Sequence, residues 1–92
     1  MTLDLLSKEL ERLSLPHHSE MLGRAFEYAY DDERLSGTVG SIGYGTEGLY
    51  IRVDCPTFRG APILKILLIE INSGILITHG NDEYVGSITF PS

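Results

Sequence analysis

The hydrophobic period changes once along the chain, near Gly37, and this change limits the fold more than any other feature. Before it, Leu3, Leu6, Leu10 and Leu13 recur at three- and four-residue steps, with Lys8, Glu9, Glu11 and Arg12 between them. That spacing predicts an amphipathic helix over residues 3–13, aided slightly by Asp4 and Lys8 in acid-first order. Ser14-Leu15-Pro16 then breaks the pattern, because proline is tolerated in a first helical turn but not inside a helix, and Ser14 can cap a new one. A second helix is predicted from about Pro16 to Tyr30, with Leu22, Ala25, Phe26 and Ala29 as its apolar stripe and Glu20 within reach of Arg24.

From Gly37 onward the period is two. Leu49, Ile51, Val53 and Cys55 alternate with Tyr50, Arg52 and Asp54, the pattern of a strand with one buried and one wet face. Thr38 to Tyr44 reads as a weaker strand joined to it through Gly45-Thr46-Glu47-Gly48. Pro56 to Pro62 reads as a loop, and Ile63 to Ile71, apolar at nearly every position, as a central strand covered on both faces. Turns at Asn72-Ser73-Gly74 and Gly80 to Glu83 separate two further strands, Ile75 to Thr78 and Tyr84 to Phe90. The fold expected is α+β: two N-terminal helices followed by an antiparallel meander of about five strands. Splitting 92 residues would leave two pieces too small to bury stable cores, so residues 1–92 are read as one domain.

Charge narrows the partners. Thirteen acidic residues against seven basic ones give a formal net charge of -6, which opposes attraction to nucleic acid or an anionic membrane and makes a basic protein surface the natural counterpart. The same acidity also serves solubility. Cys55, the single cysteine, has no partner for an internal disulfide, and Met1 to Leu5 carry acid where a secretory signal would carry base. These features predict a cytoplasmic protein. The longest apolar candidate, Ala61 to Ile71, is interrupted by Pro62, Lys65 and Glu70 and is too short to span a bilayer, so no membrane role is expected.

No convincing catalytic or metal set emerges, and no cofactor is expected. Gly43-Tyr44-Gly45-Thr46-Glu47-Gly48 matches G-x-G-x-x-G letter for letter, but a strand pattern follows it where a dinucleotide site needs a helix. His17, His18 and Glu20 could share a helix start, yet zinc would require His79 or Cys55 to converge on them. Cys55 with a histidine could form a nucleophile and base, though its place in the alternation predicts a buried small hydrophobe. Tyr50, Arg52 and Asp54 read as a solvated cluster.

Glu27-Tyr28-Ala29-Tyr30-Asp31-Asp32-Glu33 is the most informative stretch. On the helical reading its acids fall toward a helix C-terminus, which disfavours negative charge, so local stability does not account for them. Tyrosine is enriched at interface hot spots, and Glu27, Tyr28, Tyr30, Asp31, Asp32 and Glu33 are therefore the candidate partner-binding residues. The bland alternative places Tyr28 in the core and the acids in solvent. In size, charge and lack of a catalytic set, though through no motif, the chain resembles the small acidic proteins that phages use against bacterial defences, anti-CRISPR proteins among them. The resemblance implies an inhibitor, acting in the host cytoplasm if phage-encoded, that occupies basic, nucleic-acid-handling surface on a CRISPR effector complex and blocks access of target DNA. Toxin-neutralising immunity proteins look similar in the same sense. The competing class is a small enzyme or ligand-binding domain using Cys55 and a histidine.

Overall fold

A computed structural model describes residues 3–54 and 57–91, without the side chains of Leu3 and Asp4, so the expectations placed on Leu3, Asp4 and Cys55 fall outside the described residues. Helix α1 (Leu3–Arg12) forms on the leucine periodicity, and Leu6, Leu10 and Leu13 are buried in the core. Each such leucine contributes roughly 1.5–3 kcal/mol on burial. The helix ends in a Schellman motif, in which the Leu15 amide donates to the Leu10 carbonyl at 2.8 Å and Ser14 adopts φ 58°. Ser14 thus closes the first helix and does not cap a second.

The second helix is much shorter than the sequence suggested. α2 (His18–Met21) is a single turn that buries Met21 and stops before Gly23, whose φ of +78° reverses the chain. Ala25–Tyr30 is a strand, β1. The apolar spacing of Leu22, Ala25, Phe26 and Ala29 satisfies a helix, but Phe26, Tyr28 and Tyr30 satisfy alternation equally well. Aromatic residues favour strands, and here they turn inward while Glu27 faces out. Asp31-Asp32 forms the tight turn into β2 (Glu33–Gly45), with Asp31 at φ 51°. The two acids are turn residues, and the helix-dipole puzzle disappears with the helix.

The α+β expectation is overturned as a whole. The remaining strands are β3 (Gly48–Asp54), β4 (Thr57–Phe58), β5 (Ala61–Glu70), β6 (Ser73–Thr78) and β7 (Glu83–Thr89). β1 pairs with both β2 and β7, and β3 pairs with β5 through Tyr50–Leu67 and Ile51–Ile66, so six strands close into an antiparallel barrel with β4 as an appendage on β5. Closure removes the exposed edges that an open sheet would carry. Irregular register after Val39 in β2, and after Ile63 and Leu68 in β5, gives the bends that closure requires. The expected loop from Pro56 to Pro62 therefore contains β4 and the start of β5.

Leu49, Ile51, Ile66, Leu68, Leu76 and Ile88 fill the interior beside Phe26 and Tyr28. Gly86 permits the close approach of β7 to β1, since a Cβ there would lie 2.3 Å from the Ala29 carbonyl oxygen and 2.8 Å from the Tyr28 hydroxyl. α1 covers the end of the barrel at which β1 starts, and Arg12 Nη2 donates to the Ile69 carbonyl there at 3.4 Å. No helix among the described residues is long and apolar enough to cross a membrane.

Candidate functional site

The barrel end away from α1 gathers three connections: the β1–β2 turn, the segment from β3 to β5, and the β6–β7 turn. Strand pairing forces this meeting, because every second connection of an antiparallel meander lies at the same end. Tyr30 arrives on β1, Phe58 on β4 and Tyr84 on β7. Their rings meet edge to face, with centroids 5.2 Å apart for Tyr30–Tyr84, 5.0 Å for Phe58–Tyr84 and 6.3 Å for Tyr30–Phe58. Phe58 is buried, whereas Tyr30 and Tyr84 remain half-buried.

Arg59 lies over this cluster. Arg59 and Gly60 both have positive φ, 55° and 81°, as a type I′ turn between β4 and β5 requires. The turn places the guanidinium carbon 5.0 Å from the Tyr30 centroid, 5.4 Å from that of Tyr84 and 5.7 Å from that of Phe58. Glu33 accepts its hydrogen bonds and, with the nearby charge, holds the guanidinium above its ordinary pKa. Arg59, the one cation over these rings among the described residues, is thus matched by one of the local acids. Asp31 and Asp32 on the first turn, Asp54 at the end of β3, and Asp82 and Glu83 at the start of β7 remain exposed around the same end. They have no ion pair among the described residues.

The structure separates the six residues proposed from the sequence. Tyr28 is 1% exposed and donates its hydroxyl to the Tyr84 carbonyl oxygen, so no partner reaches it in the folded chain. Burial pushes its phenol up to about pKa 12. Glu27 faces out from the wall of the barrel, Asp31 and Asp32 stand on the turn, Tyr30 joins the rings and Glu33 holds Arg59. Phe58, Arg59, Asp82, Glu83 and Tyr84 belong to the same end and escaped the sequence reading. An aromatic-arginine pair in a supposed loop was the available signal.

The other constellations disperse. Gly43 to Gly48 forms the β2–β3 hairpin, and Tyr50 lies over Gly43, where a Cβ would sit 2.6 Å from the phenol oxygen. His17 caps α2 by accepting the Ser19 amide at its Nδ1, 3.2 Å away, and its ring stacks near that of His18 at 4.2 Å. His79 lies in the turn after β6, at the opposite end of the barrel. No group of three potential metal ligands occurs among the described residues. Tyr50 carries Lys65 at 5.2 Å and Arg52 at 5.9 Å on its ring, and Lys65 in turn pairs with Glu47 at 2.8 Å, a packed surface cluster. No family model, curated protein or solved structure matches the chain.

Proposed function

We propose that this chain is a non-enzymatic binding protein that sets the acidic, aromatic end of its barrel against a basic protein surface and thereby blocks it. The observation that carries the reading is the convergence of acids from three separated segments around half-buried Tyr30 and Tyr84. Exposed acids speed encounter with a basic surface, and partly exposed aromatic rings supply area that a partner can desolvate. Surfaces of that kind belong above all to complexes that handle nucleic acid, while the net charge of -6 opposes direct nucleic-acid binding by the chain itself. An anti-CRISPR protein that keeps target DNA from a CRISPR effector complex in the host cytoplasm fits these requirements. A toxin-neutralising immunity protein fits the same surface.

The test is an interference assay in bacteria that carry an active CRISPR effector and a targeted plasmid, repeated across effector types. Expression of the chain should restore plasmid transformation for at least one effector. A folded variant carrying Asp31→Asn, Asp32→Asn, Asp82→Asn and Glu83→Gln should lose most of that protection. Protection undiminished in the variant would move the binding face elsewhere, and no protection against any effector would remove the anti-CRISPR reading.

A further inference from the structure

At the other end of the barrel, where α1 meets the strands, a cleft of about 290 Å³ opens beside the Schellman turn. Its floor is apolar, formed by Leu13, Leu68 and Ile88 with Phe90, and its rim carries Arg24, Glu70 and Asn72. The volume is near the lower limit for a small-molecule site, and the mouth of a β-barrel is a common place for one. Arg24 Nε is buried at this cleft with no hydrogen-bond partner, and no ion pair reaches Arg24 among the described residues. That one nitrogen has given up water without receiving an acceptor in return, while Arg24 as a whole stays half-buried at the rim.

We propose that the cleft is a binding site for a small monocarboxylate with a short apolar tail. The carboxylate accepts from the Arg24 guanidinium, a charge-assisted geometry that suits this pair better than any neutral acceptor. The tail lies on Leu13, Leu68, Ile88 and Phe90. Glu70, the acid on the rim, forms no ion pair with Arg24 among the described residues; it lies near Arg12, whose guanidinium it helps, after Glu9, to hold above its ordinary pKa, and it weakens the pull of Arg24 on an anion without removing it. The acids at the far end of the barrel act across more than a Debye length of about 8 Å at physiological salt. The local cation therefore decides which head group the cleft accepts.

Calorimetric titration of the full chain with octanoate, octan-1-ol and octylammonium tests the site. Saturable octanoate binding at or below about 1 mM is expected, with octanol and octylammonium at least about tenfold weaker. Arg24→Gln should weaken octanoate about tenfold or more and leave octanol unchanged, which separates loss of the charge from loss of the cleft. Ile71 lines the same cleft and is 56% exposed, so Ile71→Glu should fold and also weaken octanoate if Arg24→Gln does not yield folded protein. Glu70→Gln should tighten it. Octanol binding as well as octanoate, octanoate affinity indifferent to Arg24→Gln and Ile71→Glu, or no saturation by about 10 mM would each overturn the proposal.

Discussion

Tyr28 ties the core to the candidate site, because its ring fills the barrel while its hydroxyl holds the Tyr84 carbonyl beside the aromatic cluster. Burial raises its pKa from 10.0 to about 12, so the folded state favours the neutral phenol. Below pH 10 both folded and unfolded chains keep this proton and the contribution is fully present. Between pH 10 and about 12 the unfolded chain releases the proton first, and stability should fall by roughly 2–3 kcal/mol. Urea denaturation at pH 9 and at pH 11.5 should therefore show a steeper loss for the native chain than for Tyr28→Phe. Parallel losses would show that Tyr28 titrates normally. At neutral pH the same variant should cost about 1 kcal/mol through the unpaired Tyr84 carbonyl. Gly86 makes a sharper demand on the same contact. Gly86→Ala would set a methyl 2.3 Å from the Ala29 carbonyl oxygen, and backbone, not a flexible side chain, would have to move. A loss of about 1–3 kcal/mol is expected by thermal or urea unfolding, and an unchanged midpoint would mean that β7 and β1 are not so closely packed.

Among the elements, α1 offers the cleanest test of local chemistry. Ser14 stands at φ 58°, where a side chain is strained and glycine is not, so Ser14→Gly should raise stability by about 0.5–1 kcal/mol. Leu10→Asp on the same helix should unfold most of the population, since Leu10 is 1% exposed within the core. Circular dichroism melts of both variants check the pair, and an unaltered melt for Leu10→Asp would detach α1 from the barrel. The elements also mark where sequence reading succeeds. α1 and β3 were legible because each shows one period and ends at a turn or helix-breaking signal, and β6 and β7 because turn residues bound them. β1 was not, because its residues obey two periods at once and only pairing with Leu35, Gly37 and Ile88 selects the strand. Barrel closure was equally hidden: it rests on Tyr50 meeting Leu67 and Ile51 meeting Ile66, contacts between segments that carry no local mark of one another. Part of the candidate site was visible as Tyr30, Asp31, Asp32 and Glu33. The rest depends on strand pairing, which brings Phe58, Arg59, Asp82, Glu83 and Tyr84 to the same end.

At the scale of the whole molecule, the barrel keeps its two ends chemically distinct. α1, α2 and an apolar cleft occupy one, whereas exposed acids surround aromatic rings at the other. This division predicts different kinetics for different substitutions once a partner is in hand. Asp31, Asp32, Asp82 and Glu83 are exposed and without ion pairs among the described residues, so neutralising them should leave thermal stability nearly unchanged while slowing association and flattening its dependence on salt. Tyr30 and Tyr84 are half-buried and are the anchors proposed for this end, so truncating either to Ala should chiefly speed dissociation, after correction for the packing each loses. Arg59 separates steering from anchoring. Its charge is matched by Glu33 and its plane covers the rings, so Arg59→Gln should free Glu33, make the end more acidic and raise the association rate at low salt. Surface plasmon resonance at two ionic strengths distinguishes these effects. Slower association for Arg59→Gln, with faster association for the neutralised acids, would mean that the partner is acidic and that the docking polarity proposed for this end is reversed.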